Sequence, residues 1–187
     1  MKYDPNIKAN KTIYNGVEYE SQTESKYAES FDSLEIGFEN WPYVFRGEGL
    51  KYKPDFKLVD TGAIFEVKGN KYEEMEQRKF RLVVRQGREL FVGDTNGFLY
   101  KATETGLDEA RLVRCLSCGK WYVSGWKPSE DKPGYGFTQK CPNGCEQSRK
   151  EIRENIFDAT GIYVYERERQ WPLGEYPNIA KPENENW

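Results

Sequence analysis

The chain has 187 residues, of which 37% are hydrophobic and 15% aromatic, and its formal net charge at pH 7 is −3. This length is sufficient for one hydrophobic core with a small appendage, and the aromatic content favours compact packing over disorder. The acidic balance argues against a generic cationic nucleic-acid binder, and the absence of histidine excludes catalytic and metal sites that need an imidazole.

The N-terminal region predicts a short strand or turn followed by a helix. Residues 14–20 alternate in the manner of a strand or β-turn. Residues 21–36 begin with a capping box formed by Ser21 and Glu24, continue with apolar residues at helical spacing, and are expected to end at Gly37. Glu24 is expected on the apolar, sheet-facing side of this helix, where a carboxylate is costly unless it has a role.

The next predicted elements are strands over residues 41–46, 51–59 and 63–68, a helix over 71–86 and a strand over 89–94. The order α-β-β-β-α-β predicts a mixed α/β layer with one helix on each side of a sheet.

Two carboxylates and an ammonium group fall on one predicted hairpin. Glu66 and Lys68 share a face of their strand because side chains alternate, while Val67 points the other way. Asp55 joins that face only if the hairpin loop has two or four residues, for example with Asp55 opposite Lys68; a three-residue loop places Asp55 opposite Val67. Such a group suits phosphodiester hydrolysis, since carboxylates hold Mg²⁺ or Mn²⁺ and a lysine stabilises charge on the phosphate.

The sequence Pro54-Asp55 followed by Glu66-Val67-Lys68 resembles the motif of the PD-(D/E)xK nuclease superfamily. The spacing of the upstream residues is similar to that of small, largely phage-encoded members: Tyr14, Gly16, Tyr19, Ser21, Glu24, Ala28, Phe31 and Asp32. The resemblance covers roughly residues 14–94 and implies a restriction-endonuclease-like αβββαβ core. It further implies metal ligation by Asp55, Glu66 and the Val67 carbonyl, a direct or water-mediated ligand in Glu24, and a catalytic Lys68.

Simpler interpretations exist for the separate pieces of this motif. A Glu-x-Lys pair is common on half-exposed strands, where it stabilises pairing with a neighbour. Glu24 by itself is most simply a capping-box residue. The combination of Asp55, Glu66, Lys68 and Glu24 in the expected element order favours a nuclease-type site.

The chain contains four cysteines, Cys115, Cys118, Cys141 and Cys145, which form two short pairs in its C-terminal half. Four thiolates in two turns suit a tetrahedral, structural Zn²⁺ site; two disulfides or four free thiols are the alternatives. We therefore predict a nuclease core over residues 1–104, a zinc ribbon over 105–150, and a C-terminal part over 151–187. The C-terminal part is predicted to pack back on the core with a polar helix, which begins in the ribbon and covers 146–159, a short strand over 162–165 and a poorly ordered tail.

Two groups of side chains are candidates for contact with nucleic acid. Arginines repeat at helical spacing on and after the second helix, either as a phosphate-binding stripe or as a solvated face: Arg78, Arg81, Arg85 and Arg88. Aromatic residues surround the cysteines, either to stack on bases or to dock the ribbon on the nuclease body: Trp121, Tyr122, Trp126, Tyr135 and Phe137.

These patterns together predict a Mg²⁺- or Mn²⁺-dependent DNA endonuclease with a structural zinc. The alternatives are a Holliday-junction or branched-DNA resolvase, a nuclease subunit of a larger DNA-processing complex or homodimer, and a non-catalytic adaptor that uses the zinc ribbon. A third class, an acidic protein that binds another nuclease, is compatible with the charge. The chain has no signal-peptide-like or membrane-spanning segment, which predicts an intracellular, cytoplasmic protein without a membrane partner.

Overall fold

A computed structural model of the chain describes residues 10–69, 73–128, 135–137, 140–145, 150–153 and 155–160. The helices in this part of the chain are α1 (Gln22–Ser33), α2 (Glu74–Arg85) and α3 (Ile156–Thr160). The strands are β1 (Thr12–Tyr14), β2 (Val17–Tyr19), β3 (Phe38–Asn40), β4 (Phe45–Gly47), β5 (Leu50–Tyr52), β6 (Phe56–Leu58), β7 (Ile64–Val67), β8 (Leu90–Gly93), β9 (Leu99–Ala102), β10 (Leu107–Cys115), β11 (Trp121–Pro128), β12 (Tyr135–Phe137) and β13 (Lys150–Arg153). Each of the described helices is too short or too polar to cross a membrane.

The central sheet is mixed and contains nine of the described strands, in the order β12-β11-β10-β9-β8-β7-β6-β3, with β13 also paired to β10. Strands β7 and β8 are parallel, and the other pairs in this sheet are antiparallel. The pairs β1-β2 and β4-β5 form separate hairpins. Apart from the β4-β5 hairpin, the order from α1 to β8 agrees with the predicted α-β-β-β-α-β.

The first helix begins where the capping box predicts it. The Ser21 hydroxyl accepts from the Glu24 N–H at 3.1 Å and donates to the Glu24 carboxylate at 2.9 Å. The helix ends at Ser33, however, before the predicted Gly37. Glu35 adopts a left-handed φ of 55°, and the Ile36 N–H returns to the Phe31 carbonyl at 2.8 Å. A left-handed residue of this kind closes the last turn of a helix, so the chain reverses early.

The strands that follow α1 differ from two predictions. In place of one strand over 41–46, the structure has two, β3 before this range and β4 at its end. Trp41 to Val44 lie between them, outside any strand. The strand predicted over 51–59 is divided into β5 and β6 at Pro54, which has no N–H to donate to a neighbouring strand. The alternation of apolar and polar residues does not show where the chain leaves the β4-β5 hairpin and enters the central sheet.

The two long helices cover opposite faces of the sheet. On one face, Tyr27 and Phe31 of α1 pack with Phe65 of β7 and with other buried residues. On the other face, Phe80 of α2 packs with Ile64 of β7 and with the β4-β5 hairpin. Because β7 contributes alternate residues to the two cores, Glu66 must face α2, as Ile64 does.

The second helix covers Glu74–Arg85 within the predicted 71–86; the first two of those residues lie outside the described part of the chain. The strand predicted over 89–94 is confirmed as β8, which pairs in parallel with β7.

The C-terminal half continues the same sheet across the predicted boundary at residue 105. Leu112 of β10 and Val123 of β11 share a core with Phe31 of α1 and Phe65 of β7. The predicted helix over 146–159 is wrong at Lys150–Arg153, which form β13 and pair with β10; among the described residues of that range, the helical ones belong to the short helix α3. In β13, Ile152 lies opposite Val113, so sheet pairing overrides the helical pattern. The predicted strand over 162–165 and the tail lie outside the described residues.

Candidate active site and candidate metal centre

Asp55 and Glu66 lie at the same level of the β6-β7 hairpin. Its register pairs Phe56 with Phe65 and Lys57 with Ile64, which brings Asp55 opposite Glu66. The example register, with Asp55 opposite Lys68, is therefore wrong by two residues, but the same-face placement holds. The loop at the end of the hairpin has four residues, 59–62, closed by the Leu58 N–H and the Ala63 carbonyl at 2.8 Å. Four residues is one of the two loop lengths that place Asp55 on the same face as Glu66 and Lys68.

Hydrogen bonds and an ion pair connect the motif residues. The Val67 N–H donates to Asp55 Oδ2 at 2.7 Å, and Lys68 Nζ lies 2.6 Å from Glu66 Oε1. Glu66 is 2% exposed and Lys68 is 27% exposed. The backbone N–H of Lys68 donates to the Gly93 carbonyl of β8 at 2.9 Å, which fixes the chain where it leaves β7. The lysine therefore lies between the buried carboxylate and the surface.

Burial and mutual repulsion disturb the titration of the two carboxyl groups. Burial, and then the Glu66 charge, raise the pKa of Asp55 to about 8 despite the Val67 N–H and Lys68. Burial also raises the pKa of Glu66, although Lys68 opposes this. Burial lowers the pKa of Lys68, but the Glu66 carboxylate more than offsets this effect and the net shift is upward. The site thus disfavours two negative charges unless another cation is present.

One oxygen of Glu66 is available to a ligand. Glu66 Oε2 is buried with no hydrogen-bond partner among the described residues, and the same holds for the Tyr52 hydroxyl. A buried carboxylate oxygen without a partner, beside the second carboxylate of Asp55, is a donor set that fits a divalent cation. The sequence did not single out Tyr52, because its position over this face depends on how the β4-β5 hairpin folds back.

A ligand role for Glu24 predicts that its helix packs on the same face of the sheet as Glu66, and this prediction is wrong. Its helix packs on the face of the sheet opposite to Glu66, because the aromatic residues of α1 belong to the other core. The Glu24 carboxylate also accepts at 3.2 Å from the N–H of Glu20, the residue before the N-cap Ser21, so it holds the start of the helix. Its charge nevertheless contributes to the raised pKa of Asp55. Glu24 thus combines the capping role with a location near the edge of the site.

The arginine stripe lies away from the core side of α2. With a helical period of 3.6 residues, Arg78, Arg81 and Arg85 fall on the arc opposite the buried Phe80 and Val83. Arg85 forms an ion pair of 2.6 Å with a glutamate of the β4-β5 turn, Glu48.

A different cation of α2 lies over the Tyr52 ring. Lys79 Nζ lies 6.0 Å from the centre of the Tyr52 ring. Lys79 was not predicted, since a single lysine carries no periodic signal.

The four cysteines converge as predicted. The Sγ atoms of Cys115, Cys118, Cys141 and Cys145 all lie within 4.8 Å of one another, and no other group of three or more potential ligands in the described residues is as close. Gly119 and Gly144, with φ of 75° and 72°, allow the two tight turns that aim the thiols inward. Four thiols at this spacing fit a tetrahedral metal ion such as zinc.

The aromatic residues near the cysteines serve several purposes. Trp121 packs against the main core, which confirms the predicted docking for this residue. Tyr122 is buried beside Cys115 and Cys141. The Trp126 ring lies 4.6 Å from the guanidinium carbon of Arg111. The side chains of Tyr135 and Phe137 lie outside the described part of the structure.

Comparison of this chain with known protein families, curated proteins and solved structures finds no match. The resemblance to the PD-(D/E)xK superfamily therefore stays a prediction that depends on the motif residues and their geometry.

Proposed function

We propose that the protein is a metal-dependent deoxyribonuclease that hydrolyses phosphodiester bonds at the group formed by Asp55, Glu66 and Lys68. The observation that carries this proposal is the nearly fully buried Glu66, with one oxygen paired to Lys68 and the other without a partner. A buried carboxylate of this kind is costly unless a cation compensates it. The proposal includes a restriction-endonuclease-like core around this hairpin.

The chain's own residues have distinct parts in such a reaction. Asp55 and Glu66 would hold the cation, with the Val67 carbonyl and Glu24 as further or water-mediated ligands. Bound Mg²⁺ or Mn²⁺ supplies Lewis-acid stabilisation of the phosphate and lowers the pKa of a water molecule. Lys68 would orient the attacking water and stabilise the negative charge that develops on the phosphoryl oxygens. The Val67 N–H holds the Asp55 carboxylate in place through its hydrogen bond.

The charge distribution supports dependence of DNA binding on the cation. The net charge of −3 and the paired acids of the site repel a phosphate backbone when no divalent ion is present. Lys79, near Tyr52, is the α2 residue we assign to a phosphate contact beside the site, rather than the arginines on the far arc. The cysteine cluster is assigned a structural zinc, since four protein thiolates leave no coordination position for chemistry.

Digestion of supercoiled plasmid with Mg²⁺ or Mn²⁺ tests the proposal. We expect nicked or linear products from the parent protein and none after Asp55→Asn. Asp60→Asn is the matched control, because Asp60 lies in the loop of the same hairpin and its carboxylate pairs with Lys120 at 2.8 Å instead of the site. Cleavage that persists in Asp55→Asn contradicts the proposal. DNA binding without any metal-dependent cleavage would favour the adaptor function instead.

A panel of linear, single-stranded and branched DNA extends this test to the substrate. Preference for branched DNA would identify a junction resolvase, and cutting of closed circles distinguishes endonuclease from exonuclease action.

A further inference from the structure

Tyr52 lies directly over the face of the sheet into which Glu66 projects. It ends β5 and belongs to the same buried cluster as Ile64 of β7 and Phe80 of α2. The residue is 5% exposed, and its ring centre lies 6.4 Å from that of Phe80. The ring is thus held by packing, which fixes where its hydroxyl points.

The Tyr52 hydroxyl is buried without a hydrogen bond, as is Glu66 Oε2. The two groups are near neighbours electrostatically: burial and then the Glu66 charge raise the pKa of Tyr52 well above its usual value. A phenol is protonated at neutral pH and so has a hydrogen to donate. A buried donor and a buried acceptor that are both unsatisfied each cost free energy, so their closeness calls for a functional explanation.

We infer that Tyr52 is a positioning residue for the candidate cation site, whose hydroxyl donates to the Glu66 carboxylate and orients it toward the cation. The terminal torsion of a glutamate is soft, so a small rotation of the Glu66 carboxylate is enough to make this hydrogen bond. Lys68 engages the other oxygen, and the two donors together define the plane of the carboxylate. This inference rests on the proposed function for the identity of the ligand.

Binding of Mn²⁺ to the zinc-loaded protein, measured by calorimetry without DNA, tests the inference. We expect Tyr52→Phe to weaken Mn²⁺ binding on the order of 10-fold, as for other residues that orient a metal ligand. Its midpoint of thermal unfolding in the absence of Mn²⁺ should be unchanged or higher, because the Tyr52 hydroxyl makes no hydrogen bond in the cation-free protein. Tyr100→Phe is the control: Tyr100 packs against the same cluster, and burial followed by the Asp94 charge raises its pKa.

A double-mutant cycle separates positioning from packing. In a Glu66→Gln background, Tyr52→Phe should have no further effect on residual Mn²⁺ binding. Equal Mn²⁺ affinity of the parent and Tyr52→Phe overturns the inference, and so does weaker binding accompanied by a lower unfolding midpoint, which would assign Tyr52 a structural role. In either case plasmid cleavage by the parent leaves the proposed function intact. If the parent protein shows no Mn²⁺ binding that depends on Glu66, both the inference about Tyr52 and the proposed function are overturned.

Discussion

The cysteine cluster and the carboxylate–lysine group are assembled in different ways. Each cysteine pair lies within one tight turn, and the two turns meet at the end of β10. The carboxylate–lysine group instead depends on the register of β6 and β7, on the β4-β5 hairpin above it and on α2. An ion pair between Lys120 and Asp60 links the first cysteine turn to the loop of the β6-β7 hairpin.

Functional groups that local turns assemble are easier to recognise from the sequence than groups that a sheet assembles. Ligands that local turns bring together keep a fixed spacing along the chain, so they can be recognised without knowledge of the fold. Groups that a sheet brings together are recognised only in part, because side-chain alternation gives the face but not the partner. We therefore expect loss of the zinc site to disturb folding first, whereas substitutions of the carboxylates should first disturb DNA cleavage.

The largest effect is expected from removal of the zinc ligands. We expect about one equivalent of zinc in the purified protein, and none after Cys141→Ser. The C-terminal half should then loosen first in hydrogen exchange, because zinc binding to small cysteine modules supplies on the order of 10 kcal/mol toward folding. Ser117→Ala, in the first cysteine turn, should keep the metal. Elemental analysis that finds no zinc in the parent contradicts this expectation.

Substitution of Lys68 should affect the reaction and leave the fold intact. Lys68→Ala is expected to slow cleavage by a factor on the order of 10²–10³, since it removes one group that stabilises the transition state. Binding of Mn²⁺ and zinc should persist, whereas Glu66→Ala should lose Mn²⁺ binding itself. Lys57→Ala is the matched control, because Lys57 lies on the same hairpin and pairs with Glu39 at 2.8 Å. If Lys68→Ala cuts DNA as fast as the parent, the catalytic assignment fails.

The pH dependence of stability follows from Asp55. Its pKa of about 8 in the folded protein exceeds the value of about 4 expected in the unfolded chain. Between these values the folded state binds the extra proton, so the free energy of unfolding should fall as pH rises through this window. Chemical denaturation of the zinc-loaded protein, in buffer without added Mg²⁺, measures this trend.

Asp55→Asn should flatten that dependence, and Mg²⁺ added to the parent at pH 8 should restore stability by binding the ionised carboxylates. Stability of the parent that rises between pH 5 and pH 8 without divalent ions would contradict the buried, protonated Asp55.

The smallest effects concern the two roles of Glu24. Glutamine also serves in a capping box, so Glu24→Gln should preserve stability while its missing charge lowers cleavage by roughly 10-fold. Ser21→Ala should lower the free energy of unfolding by about 1 kcal/mol and leave cleavage unchanged. A Glu24→Gln protein with full activity would restrict Glu24 to capping.

Local sequence determined several parts of this protein. The capping box fixed the start of α1, because the Ser21 hydroxyl satisfies a backbone N–H within one helical turn. The spacing of the cysteines determined their convergence, since each pair needs only a short turn. Alternation determined that Glu66 faces away from Val67, as the two-residue period of a strand requires.

Tertiary structure decided what depends on distant partners. The strand β13 in place of a helix follows from pairing with β10, a strand far away in the chain. The division of residues 51–59 places β5 in the hairpin with β4 and β6 in the sheet beside β7. The location of Tyr52 over Glu66, and of Lys79 beside Tyr52, follows from the packing of the β4-β5 hairpin on α2. Burial also set the pKa of Asp55, because the free energy of a charge depends on every group around it and not on its neighbours in sequence.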